Sequence, residues 1–159
     1  MPRQRETPPG PSRRPAAQAA LVALLRTSSI VRRTIARAVE PAGISVAQYN
    51  VLRILRGAGA GGLPTLAIRD RMIEEAPAIT RLLDKLDAAG LVTRDRGDDR
   101  RQVRCTISPA GLDLLAGLEA AVDAVDETVL GGIPDPDLRT LLTLLDAIRQ
   151  PDDGPDEPE

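Results

Sequence analysis

Histidine is absent from this sequence of 159 residues, and cysteine occurs once, at Cys105. Without an imidazole, neither a Ser-His-Asp nor a Cys-His catalytic group can form. A structural zinc site takes about three or four soft ligands from one chain, and a single thiol cannot supply them. No metal and no cofactor is therefore expected. A lone Cys also forbids an intrachain disulfide, which fits a reducing cytoplasm. Aromatic residues make up 1% of the chain: Tyr49 stands alone, with no Phe and no Trp. Leu, Ile, Val and Ala must then fill the interior, a composition better suited to helices than to a β-sandwich. No run of about 18 apolar residues occurs, so no membrane span is expected. The opening Met1 to Gly10 is polar and Pro-rich with no apolar stretch beside it, so it does not read as a secretory signal. A cytoplasmic protein that catalyses nothing is the expectation.

What is present is charge, unevenly placed. The formal net charge is −2. Residues 1–37 carry eight Arg against one Glu, a balance of +7, while residues 109–159 carry two Arg against thirteen acids, a balance of −11. The two intervening stretches, 38–68 and 69–104, are each +1. The middle of the chain is thus mildly basic and the acidity is confined to the C-terminal third.

Residues 1–15 are rich in Pro and Arg and read as a disordered basic arm. From Ala16 to Val39 there is no Gly or Pro, and Leu21, Leu24, Leu25, Ser28, Val31, Ile35 and Val39 recur at helical spacing. Pro41 and Gly43 end that helix. Ile44 to Arg56 reads as a second helix with Ser45 as N-cap, and Leu63 to Ile73 as a third with Leu66, Ile68, Met72 and Ile73 apolar. Pro77 opens a fourth, running to about Ala89, with Ile79, Leu82, Leu83 and Leu86 inward; Gly90 stops it. Leu91 to Arg96 and Gln102 to Ser108 read as two strands around a Gly97-Asp98-Asp99-Arg100 hairpin. Val103, Cys105 and Ile107 share one face of the second strand, so Cys105 reads as a small core residue. Ser108-Pro109 opens a fifth helix towards Leu130, and Asp135 or Asp137 a sixth towards Gln150. Residues 151–159 are an acidic tail.

Two short helices followed by a hairpin with a basic loop is the order of a winged helix-turn-helix. The fold class expected is mainly α, with a small β-hairpin wing and long flanking helices. The major groove of DNA admits one helix, and the second helix of the pair presents its outer face to base edges. Here that face carries Ala78, Thr80, Arg81, Asp84, Lys85 and Ala88. Arg81 and Lys85 stand four apart, Arg can bond guanine bidentately, and small Ala78 lets the backbone come close. The hairpin region holds Arg94, Arg96, Arg100, Arg101 and Arg104 against Asp95, Asp98 and Asp99. An Arg on a protruding hairpin can enter the minor groove, where the potential is most negative at narrow tracts.

From about Val46 to Leu115 the chain resembles the multiple-antibiotic-resistance regulator (MarR) family. The stretches that carry the likeness are SVAQYNVLRIL, APAITRLLDKLDAAGLVTR and DDRRQVRCTISPAGLDLL. The resemblance implies a homodimeric regulator of double-stranded DNA, with the first, fifth and sixth helices interleaved at the dimer interface. It implies that Ala78, Thr80 and Arg81 lie in the major groove, that Asp99 orients the wing, and that Arg101, with Arg100, enters the minor groove. It divides residues 16–150 into dimerisation helices at 16–43 and 109–150 and a winged helix-turn-helix at 44–108. Repression released by a small-molecule effector is a further expectation, with a ligand pocket lined by Val31, Ile35, Tyr49 and Leu52. The alternative is a winged-helix protein-interaction module that has lost DNA binding, suggested by the acidic balance and by Glu74-Glu75 ahead of the fourth helix.

Overall fold

The computed structural model describes residues 14–73, 78–96 and 103–149. Several sequence-predicted features lie outside these residues: most of the N-terminal arm, Glu74, Glu75, Pro77, the hairpin tip with Asp99, Arg100 and Arg101, and the acidic tail. Helix α1 spans Arg14–Val39, α2 Val46–Ala58, α3 Thr65–Asp70, α4 Ile79–Ala88, α5 Pro109–Leu130 and α6 Asp135–Arg149. Strands β1 (Leu63–Pro64), β2 (Val92–Arg96) and β3 (Val103–Ile107) form one antiparallel sheet in the order β1-β3-β2. The expected class, helical with a small sheet as wing, is observed. Helix α1 begins two residues earlier than expected, so Arg14 and Pro15 belong to a helix and not to the arm.

The caps follow local chemistry. Ser45 accepts from the Gln48 N–H, while the Gln48 side chain accepts from the Ser45 N–H, so two helix-end donors of α2 are satisfied reciprocally. Ser108 does the same work for α5, its oxygen accepting from the Gly111 N–H at 3.0 Å, with Pro109 at the first helical position.

Helix α2 runs through Gly57 to Ala58, past its expected end at Arg56, and the segment after it differs in kind. Leu63 and Pro64 are not helical but pair with Cys105 and Arg104 as an edge strand, so the third helix shrinks to Thr65–Asp70. Pro64 is extended (φ −63°, ψ 150°) and, lacking an N–H, is tolerated at an edge. Gly62 makes the pairing possible. It sits at φ +57°, and a Cβ there would overlap the Cys105 carbonyl oxygen and the Thr106 methyl. Of the apolar residues of this segment, Ile68 is buried, while Leu66 and Ile73 are 61% and 85% exposed.

The core lies where α2, α4 and the sheet meet the C-terminal part of α1 and the N-terminal half of α5. Val39, Val51, Leu52, Leu55, Ile68, Leu83, Leu86 and Cys105 are fully buried there. This is an aliphatic core, as a chain nearly devoid of aromatics requires. Away from it α1 and α5 still pack on each other, with Val125 buried, but much apolar surface of α1 and α6 is open. Leu21, Val22, Leu25 and Ile30 of α1 are exposed, and no residue of α6 is buried.

Candidate nucleic-acid interface

Helix α4 has one buried edge and one solvent edge. Ile79, Leu83 and Leu86 are buried and Leu82 is half-buried; Thr80, Arg81, Asp84, Lys85 and Ala88 are exposed, as is Ala78 just ahead of the helix. The predicted outward set is therefore on one open face. Ala78 is the N-cap residue and not part of the helix, which starts at Ile79. Neither Arg81 nor Lys85 takes part in an ion pair among the described residues. Both cations face solvent; Arg81 lies in the first turn, beside a helix N-terminus whose partial positive charge favours phosphate, and Lys85 in the last turn.

The wing strands pair in register, Val92 opposite Ile107, Arg94 opposite Cys105 and Arg96 opposite Val103. Cys105 faces the core, while Thr106 meets Thr93 hydroxyl to hydroxyl at 2.7 Å on the other side. Burial pushes the Cys105 thiol above its ordinary value, with Arg94 opposing weakly.

Arg94 and Arg104, the wing arginines whose side chains are described, are both engaged within the protein. Arg94 reaches from β2 under α4, where Nη1 lies 2.7 Å from the Asp84 carboxylate and Nη2 donates to the Thr80 carbonyl at 3.2 Å. Arg104 donates from Nε to the Gly61 carbonyl and from Nη2 to the Gly62 carbonyl, closing the glycine loop onto β3. Sequence spacing had counted both among the basic residues of the hairpin without assigning either a partner. Only contacts between residues far apart in sequence separate structural arginines from available ones.

A second feature is a hollow of about 350 Å³ between α1 and α2, lined by Ile35, Val46, Tyr49, Asn50, Arg53, Ile54 and Ile73. The Arg53 guanidinium stands 5.9 Å from the Tyr49 ring centre. Of the four residues predicted for a pocket, Ile35 and Tyr49 line it. Leu52 does not: it is fully buried in the core with Val51 and Leu55, one helical face away from Tyr49 and Arg53. Val31 is half-buried one turn before Ile35 on α1, outside the lining.

The geometry defines a class of protein: a winged helix-turn-helix, with a polar-faced second helix, a three-stranded wing sheet and long flanking helices. No protein-family model matches the chain. A MarR transcription factor from Planctomyces limnophilus is 38% identical, over 82% of this chain and 95% of that one, with a TM-score of 0.65. CouR from Rhodococcus jostii RHA1, solved bound to p-coumaroyl-CoA, is 29% identical over 79% and 88%, with a TM-score of 0.69. The transcriptional repressor Rv2887 of Mycobacterium tuberculosis is 26% identical over 126 residues, 79% of this chain and 89% of that one. This chain belongs to the MarR family of transcription regulators. Its relatives are regulators and not enzymes, and no described helix is long and apolar enough to cross a membrane.

Proposed function

We propose that the protein is a homodimeric repressor that lays α4 in the major groove of an operator and a wing beside it in the minor groove. The observation that carries this reading is the open face of α4. Ala78, Thr80, Arg81 and Lys85 are exposed together while Ile79, Leu83 and Leu86 anchor the opposite edge in the core. Thr80 and Arg81 would reach base edges, and Lys85 a phosphate. At the hairpin tip, Asp99 orients the loop and Arg101, with Arg100, enters the minor groove.

Residues 16–43 and 109–150 form the dimer in this reading. Exposed Leu21, Leu25 and Ile30 on α1 and Leu142, Leu144 and Ile148 on α6 support it, since water-exposed apolar stripes on long helices demand a partner. The basic N-terminal and acidic C-terminal segments then meet across the interface, an attraction largely screened at physiological salt. Repression follows the relative from Mycobacterium tuberculosis. The effector binds the hollow at Ile35, Tyr49 and Arg53, whose apolar walls and single cation suit a small anionic organic molecule.

The test is a mobility shift of duplexes selected by the protein from a random-sequence pool, at two salt concentrations and with random competitor DNA. Binding that survives competitor and falls steeply with salt supports the operator-binding reading. No binding even at low salt would replace it with a winged-helix module that engages protein.

A further inference from the structure

Asp84 lies on the face of α4 that the proposed reading turns towards DNA, one helical turn from both Thr80 and Arg81 and next to Lys85. A bare carboxylate there would repel phosphate and would also compete for Arg81, three residues earlier on the same face. In the structure Asp84 is paired with Arg94 instead, and Arg81 takes part in no ion pair among the described residues. The Arg94 side chain is 23% exposed against 55% for Asp84, so the guanidinium is held in the groove between β2 and α4 while the carboxylate closes the top. The same guanidinium donates to the Thr80 carbonyl in the first turn of α4. One planar cation thus grips the helix at two points a turn apart, a geometry that the fork of Arg satisfies and a Lys ammonium cannot reproduce. Arg94 sits on a central pairing position of the wing, opposite Cys105.

We infer that Arg94 is a positioning residue for DNA binding. It locks the recognition helix to the wing strand and masks the Asp84 charge, leaving Arg81 available to the groove. Arg94 itself touches no DNA in this scheme, which separates it from the tip arginines. The inference rests on the DNA-binding reading above.

The full-length chain is compared with Arg94→Ala, Arg94→Lys, Asp84→Asn and the Arg94→Ala/Asp84→Asn double variant on one selected duplex at low and high salt. Arg94→Ala is expected to lose about tenfold in affinity at low salt, the scale of one misplaced charge at an interface. The deficit shrinks at high salt, because an unmasked carboxylate acts through a screened interaction. Arg94→Lys recovers only part of the loss. Asp84→Asn binds close to wild type, and the double variant regains most of what Arg94→Ala loses. A purely structural defect would persist at both salts and would not be rescued by Asp84→Asn. Arg94→Ala binding within twofold of wild type, or a double variant as weak as Arg94→Ala, overturns the inference. Amide hydrogen exchange at Thr80–Leu83 without DNA provides the separate control. If the wild-type chain selects no duplex, the regulator reading fails on its own. The clamp is then judged by whether Arg94→Ala speeds exchange in that turn, and unchanged exchange refutes it.

Discussion

The Ser108 hydroxyl donates to the Gly90 carbonyl at 2.6 Å while accepting from the Gly111 N–H, so one buried side chain caps α5 and ties it to the turn that ends α4. Ser108→Ala removes the cap, leaves the buried Gly111 N–H without this acceptor, and cuts the tie to the Gly90 carbonyl. The expected loss is about 1–2 kcal/mol of stability. Urea unfolding, with a lower midpoint and an unchanged slope, checks it.

Two glycines should respond to alanine with opposite signs. Gly62 has φ +57° and no room for a Cβ under Cys105 and Thr106, so Gly62→Ala strains the backbone and separates β1 from β3. A loss of about 1–3 kcal/mol is expected. Gly57 lies within α2 with nothing within 4 Å of a Cβ, so Gly57→Ala gains roughly 0.5–1 kcal/mol from helix propensity. Thermal melts of the two variants, measured side by side, give the comparison.

Cys105 should be inert in the folded protein. Its thiol is fully buried and its pKa is raised from 9.0 by desolvation. A raised folded-state value means that the folded form retains the proton longer than the unfolded chain. The thiol's contribution to stability is therefore complete below the unfolded pKa and is lost as pH rises through the folded one. Labelling with a thiol reagent at neutral pH should follow global unfolding, and Cys105→Ala should flatten the alkaline fall in stability. Prompt labelling of the native protein would contradict the burial.

Arg81→Ala should weaken specific DNA binding by about 1–3 kcal/mol and relax sequence preference at the base it reads. Lys85→Ala should weaken binding to all duplexes alike and reduce the salt slope by about one. Fluorescence anisotropy titrations across a salt series separate the two. Equal effects of both variants on specific and random duplexes would remove Arg81 from base readout.

Leu25→Asp places a charge in the exposed apolar stripe of α1, where Leu25 is 62% exposed. The expected outcome is a folded monomer with weakened operator binding, measured by light scattering and circular dichroism. An unchanged mass would move the dimer interface away from this part of α1.

Most of the helices were legible because their signals are local. The Ser45 and Ser108 caps, the Gly and Pro stops and the inward Ile79, Leu83 and Leu86 lie within a few residues of the backbone they control. The reciprocal half of the α2 capping box, Gln48 three residues after Ser45, was not read from the sequence although its signal is equally local. The exposed face of α4, with Thr80 and Arg81, follows from helical periodicity once the buried edge is known.

What sequence alone determined was the order of the six helices and the two hairpin strands, the aliphatic core and the absence of imidazole, because composition and short-range spacing suffice for these. Tertiary structure decided the rest. Leu63 became a strand only by meeting Cys105, some forty residues on. Leu52 went to the core while Tyr49 and Arg53 faced the hollow. Arg94 and Arg104 were claimed by Asp84 and by the Gly61 and Gly62 carbonyls. A cation's partner is set by which groups folding brings within hydrogen-bond reach, and pairs this distant in the chain leave no periodic trace in it.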